Sequence, residues 1–134
     1  MRPKVYIAGP MSGGDRLANL NQGLEAYREL IRRGYAPMCP MLSFFVNDVM
    51  PQGYATWLAV DLAWVEASDL VLRLPGESLG ADQEVACATI NGIPVYRSLA
   101  EIPEVICGEK AQDDREAKIP PGGTGRRNCQ HKEA

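Results

Sequence analysis

The chain has 134 residues, 46% hydrophobic and 23% charged, with a net charge of -3. That is the size and balance of one globular domain, which excludes fibrous and wholly disordered classes, and the lack of a basic surplus argues against duplex nucleic acid as a partner. No run approaches the ~18 apolar residues of a membrane-spanning helix, and MRPKVYIAGPMSGG meets proline and glycine too early for a signal-peptide core, so a cytoplasmic protein without membrane contact is expected.

Residues 4–8, KVYIA, read as a buried strand, and GPMSGG behind them as a loop able to bring backbone amides close to a ligand. From Leu17 onward, Leu20, Leu24, Tyr27 and Ile31 recur at helical spacing until Gly34, which predicts an amphipathic helix. YAPMC at 35–39 suits a second strand, confined to an edge or cut short by Pro37. Residues 40–53 read as a long irregular connection. A second helix is expected from about Tyr54 to Ala67, with Trp57, Leu58, Leu62 and Val65 on one face, and LVLRL after Asp69 forms a strand. PGESLG is then a loop, 79–91 a third helix closed by Asn91-Gly92, and IPVYR the last strand.

Strands alternating with helices imply an α/β fold: a single Rossmann-like or flavodoxin-like domain over residues 1–107, its parallel sheet flanked by helices. From Gly108 apolar residues become too sparse to offset ordering entropy, so 108–134 are expected to form a disordered tail. The four cysteines form no CxxC pair and the single His131 lies in that tail, so neither a metal site, a disulfide framework nor a cofactor is expected. PPGGTG at 120–125 resembles a phosphate-binding loop, but with no strand before it and no helix after it the motif lacks its context.

Three features invite chemistry. Asp61 falls on the apolar stripe of the second helix, where a carboxylate either faces inward and needs a partner or sits at the stripe's edge pairing with an arginine. Glu84 lies in a helix of small residues (Ala81, Ala86, Cys87, Ala88) that begins at the carboxyl edge of the sheet, so it either points into the ligand crevice or is a solvated helix glutamate. The loops GPMSGG and PGESLG share that edge. Ser78 is placed to cap the third helix, where the amides of Gly80 and Ala81 would also favour a phosphate or carboxylate.

The ordered set IAGPMSGG followed by DLAWVEASDLVLRLPGESLGADQE resembles the nucleoside 2-deoxyribosyltransferase-like superfamily, which includes deoxynucleoside 5′-monophosphate N-hydrolases and an uncharacterised phage-associated branch. The resemblance covers about residues 4–97. It implies cleavage of an N-glycosidic bond through a covalent glycosyl-enzyme intermediate, with Glu84 as nucleophile, Asp61 as its acidic partner and Tyr6 as the first-strand aromatic that touches the nucleophile. It further implies that Ser78 and Gly80 hold a 5′-phosphate, that Gly9, Ser12, Gly13 and Gly14 form the first loop of the site, and that the chain forms a homodimer or higher oligomer. The hydrolases carry a serine and an arginine in that first loop where this chain has Pro10 and Ser12. Asp82 is the counterpart that the resemblance offers for the acidic residue that helps read the base in the transferases. The competing reading is a non-catalytic nucleotide-binding module of the same fold, for which keeping both Asp61 and Glu84 would have little reason.

Removing residues 109–134 is expected to leave folding unchanged, and thermal unfolding of the truncated chain checks this. A fall in the midpoint of more than about 5 °C would show that the tail packs on the domain.

Overall fold

The computed structural model describes residues 1–105. Four parallel strands form one sheet in the order β2-β1-β3-β4, namely β1 (Lys4–Ala8), β2 (Ala36–Met38), β3 (Leu70–Arg73) and β4 (Val95–Tyr96). Helices α1 (Arg16–Arg32), α2 (Ser43–Val49), α3 (Tyr54–Glu66) and α4 (Leu79–Ile90) connect them, so the fold is the α/β class expected from the alternation. The tail 108–134, with Cys129, His131 and PPGGTG, and Cys107 just before it, lie outside the described residues. Among the described residues no helix is long and apolar enough to cross a membrane.

β3 is buried at all four positions, as a strand covered on both faces must be. Alternation along β1 and β3 divides the core in two. Val5, Ile7, Leu70, Leu72 and Leu74 pack with Ala26 and Leu30 of α1, whereas Tyr6, Ala8 and Val71 pack with Val65 of α3 and with Ala81 and Ala88 of α4. Helices on opposite faces mean that the winding reverses between β1 and β3, and in open parallel sheets a ligand crevice opens at that reversal, beyond the carboxyl ends of the strands.

The α1 helix begins where Asp15 accepts from the amides of Leu17 (3.0 Å) and Ala18 (3.2 Å), and it ends at Gly34, whose φ of 96° suits a residue without Cβ. Its buried residues are Gly23, Ala26 and Leu30, while Leu24 and Ile31 are 44% and 45% exposed. The apolar stripe read from the sequence is therefore rotated away from the true contact face. Small side chains decide the contact: a Cβ at Gly23 would come within 2.8 Å of Met41 Sδ, so the helix seats where it can approach most closely.

Residues 40–53 correct the sequence reading more directly. They hold a short 3-10 turn over 40–42 and then α2, bounded by Pro40 and Pro51. The seven residues of α2 are too few to show a helical period, and apart from Phe44, which packs against the core, its apolar side chains point outward: Phe45 is 65% and Val49 87% exposed. At the other end, β4 keeps only two residues of IPVYR. The segment after it is pinned to α1 by Arg33, whose Nη1 donates to the carbonyls of Leu99 (2.6 Å) and Ile102 (3.1 Å).

Gly76 has a φ of 112°, and a Cβ there would lie 2.9 Å from Pro10 Cγ in the loop after β1. Gly76→Ala thus meets backbone strain and a clash between the two carboxyl-edge loops. It is expected to cost about 1 to 3 kcal/mol, read as a fall of several degrees in the unfolding midpoint.

Candidate active site

The carboxyl ends of β1 and β3 open into a cleft of about 460 Å³, within the range of small-molecule sites. Its walls are the loop after β1 (Gly9 to Gly13), the loop and first turn leading into α4 (Glu77 to Ala81), α2 (Ser43, Phe44, Asn47) and α3 (Tyr54, Trp57, Leu58, Asp61).

Asp61 reaches the cleft from the buried face of α3 and is 8% exposed. The inward of its two sequence readings is the one observed, and among the described residues it has no ion pair with an arginine. Glu84 is 4% exposed and shares the sheet-facing side of α4 with Ala81 and Ala88. These alanines let the helix lie close to β1, where the Tyr6 hydroxyl donates to Glu84 Oε1 at 3.0 Å. Tyr6 is fully buried, and its proton is held tightly, first by burial and then by the charge of Glu84, so it acts as a donor.

Burial also dominates the two carboxyls. It raises Glu84 to about 7, with Asp61 adding to the rise and the Tyr6 bond and Arg73 opposing it. Burial alone raises Asp61 to about 6. Two acids that titrate near neutrality beside one cleft mark a candidate site on physical grounds.

Arg73 is a component that the sequence reading left without a role. It is 6% exposed at the end of β3, opposite Ala8 in the β1 register. Its guanidinium donates to the carbonyls of Leu74 and Gly76 (2.9 Å) and to Asp82 Oδ1 (3.1 Å). It thereby ties the loop before α4 to that helix and places a positive charge behind Glu84. An arginine inside the apolar run LVLRL was the available signal, since such a residue needs buried partners. Asp82 turns to Arg73 and is absent from the cleft lining.

Of the first-loop residues, Gly9, Ser12 and Gly13 line the cleft and Gly14 does not. Ser78 and Gly80 line it as well. Ser78 caps α4 by accepting from the Ala81 amide at 3.2 Å, so that amide serves the cap and is not available to a ligand as the sequence had suggested. Tyr6 and Glu84 are not part of the lining; Glu84 lies on α4 three residues beyond Ala81, which is part of it. The residues that sequence reasoning missed are Ser43, Phe44 and Asn47, all on the unrecognised α2, while Trp57 and Leu58, read as core, face the cleft.

Residues 3–98 match the family model described as Domain of unknown function (DUF7768). The chain belongs to this family. No curated protein matches the sequence of this DUF7768 member. Among solved structures it is similar to a 2-deoxyribosyltransferase from Bacillus psychrosaccharolyticus, with a TM-score of 0.52 and 20% identity over 69% of each chain. It is also similar to a 2-desoxiribosyltransferase from Leishmania mexicana, with a TM-score of 0.50 and 18% identity over 69% of this chain and 61% of the other. At these identities the likeness shows a shared fold.

Because Glu84 keeps its proton up to about 7 in the folded protein against an ordinary 4.5, the folded state binds that proton more tightly than the unfolded one. The contribution of Glu84 to stability is then fullest below pH 4.5 and declines as the pH rises to about 7, by at most roughly 3 kcal/mol. Glu84→Gln keeps an acceptor for Tyr6 and removes the charge. Its unfolding midpoint is expected several degrees above wild type at pH 8, with the gain vanishing near pH 4.5.

Proposed function

We propose that this DUF7768 protein cleaves the N-glycosidic bond of a nucleoside or a (deoxy)nucleoside 5′-monophosphate. The observation that carries the reading is Glu84: a buried carboxylate, hydrogen-bonded by Tyr6 and accompanied by a second raised carboxyl, Asp61, at the reversal of the sheet. The shared fold with two 2-deoxyribosyltransferases supports it, one of them a biocatalyst for the synthesis of nucleosides. A module that only binds nucleotides would gain nothing from the cost of burying both carboxyls.

Chemically, such a bond breaks through a transition state with oxocarbenium character, which a nearby anion stabilises before collapsing onto it. Between about pH 6 and 7 the two carboxyls hold one proton, and in the empty site it resides mainly on Glu84. Positive charge developing at the anomeric carbon favours the Glu84 anion and shifts the proton to Asp61. A Glu84 oxygen bonds to that carbon as the carbon–nitrogen bond breaks, its electron pair leaves with the base, and Asp61 delivers the proton to the base. Water then attacks the anomeric carbon, Asp61 takes its proton and Glu84 departs as the carboxylate. A second base in place of water gives transfer instead of hydrolysis.

Gly9, Ser12, Gly13, Ser78 and Gly80 border the part of the cleft where a 5′-phosphate would lie, next to the N-terminus of α4, whose dipole favours an anion. The reading requires no cofactor or metal. It extends to a homodimer or larger oligomer, which the exposed apolar side chains of Phe45, Val46, Val49 and Met50 beside the cleft support.

Incubation with a panel of nucleosides and 5′-monophosphates, with and without a free second base, tests this by chromatography of released or exchanged base. Glu84→Ala is expected to abolish release, and Asp61→Asn to slow it by about 10² to 10⁴. A 2-fluoro-2-deoxy substrate should leave a sugar adduct on the peptide containing Glu84, and turnover retained in Glu84→Ala would sink the assignment.

The pH profile provides a further check. Below about 6 both carboxyls are protonated and the nucleophile is lost, whereas above about 7 both are ionised and the acid is lost. Base release per unit of free enzyme should follow a bell centred between these values, and a flat profile from pH 5 to 9 would contradict the shared-proton step.

A further inference from the structure

Asn47 is held in one orientation by two donors. Trp57 Nε1–H donates to Asn47 Oδ1 at 2.8 Å, and the backbone N–H of Gln52 donates to the same oxygen at 3.0 Å. An indole nitrogen and a backbone amide can only donate, so the atom that receives both is the oxygen, and chemistry decides which way the amide faces. Its Nδ2 then carries two hydrogens with no hydrogen-bond partner among the described residues, and it is not sealed from solvent.

Asn47 lines the cleft together with the aromatic residues Phe44, Tyr54 and Trp57, a composition suited to a flat ring system. The neighbouring hydroxyls on these walls are already committed: Ser43 Oγ donates to the carbonyl of Pro40 at 2.6 Å, and Tyr54 donates to Gln83 Oε1 at 3.0 Å. On the wall formed by α2 and α3, Asn47 Nδ2 is therefore the uncommitted side-chain donor apart from Asp61, whose proton the proposed reaction uses.

We infer that Asn47 selects the base, donating from Nδ2 to an exocyclic keto oxygen so that 6-oxopurines or 4-oxopyrimidines are taken in preference to their amino counterparts. The inference rests on the reading of the cleft as an N-glycosidase site. An oxo-base presents a protruding acceptor to Nδ2, whereas an amino group in the same place sets N–H against N–H. Flipping the Asn47 amide to accommodate the amino group would turn its own donors towards Trp57 and Gln52 and strand both of theirs. The discrimination is thus built into the fold.

Binding of free bases tests this without requiring turnover. Isothermal titration of the wild-type protein compares hypoxanthine with adenine and uracil with cytosine, and the oxo-base of at least one pair should bind roughly tenfold more tightly. Asn47→Asp keeps an oxygen for Trp57 and Gln52 while replacing the donor by an acceptor, so the preference should reverse, with near-ultraviolet circular dichroism of the tryptophans unchanged. Equal or reversed preference in the wild type overturns the inference with no variant needed. So does an unchanged ratio in a folded Asn47→Asp protein, or no binding of any of the four bases. The base-release panel separates the two readings: oxo-base selection without release from any substrate would leave Asn47 as the selector and remove the glycosidase, while release without oxo-base selection would do the reverse.

Discussion

The Glu84 carboxylate lies against the middle of a parallel sheet with a single hydrogen bond from a fully buried tyrosine, in a place where a charged group is costly. Much of the surrounding structure can be understood from that placement. α4 reaches the sheet closely because Ala81 and Ala88 flank Glu84 on the contact face. Tyr6 must sit on the same side of β1, which the two-residue period of the strand allows only with Val5 and Ile7 on the other side, under α1. Asp61 on α3 faces the same region, and its presence raises the cost further. Arg73 offsets part of it from behind while also fastening the loop before α4.

The sheet reversal explains why this chemistry meets a cleft. Because α1 packs on one face and α3 and α4 on the other, the chains leaving β1 and β3 diverge beyond their carboxyl ends. The loops that follow do not drift apart, since Gly76 and Pro10 touch and Arg73 holds the Gly76 carbonyl. The two loops therefore leave from buried strand ends, Ala8 of β1 and Arg73 of β3, with the positional precision that a buried strand end provides.

What was legible in the sequence follows from how strongly each feature repeats. Buried strands announced themselves as short apolar runs, and Glu84 and Asp61 stood out as charges inside apolar or small-residue patterns, so both carboxyls could be named from the residues themselves, whereas Tyr6, an ordinary member of a buried strand, was named only through the family resemblance. The face of α1 was misjudged because contact was decided by Gly23 and Ala26, which carry almost no hydropathic signal, while Leu24 and Ile31 carry a strong one yet lie outside. α2 was invisible: seven residues cannot display a period, and of its apolar side chains Phe45, Val46 and Val49 are exposed. With it went Phe44 and Asn47. Arg73 was passed over since a strand pattern is read for its apolar members, and the informative residue was the exception.

The wall formed by α2 is built on a different principle from the rest of the cleft. It contributes no fully buried residue to the core, and several of its large side chains are exposed, so burial does little to fix its position. Directional bonds take over that role. The single oxygen of Asn47 ties α2 to α3 through Trp57 and to the segment between them through Gln52, closing the 47–57 stretch around one acceptor. The same two bonds that locate the helix also fix the amide that faces the cleft. A substitution that frees Asn47 to rotate would therefore loosen the wall as it relaxes the choice of ligand, so position and selectivity in this part of the site are a single property.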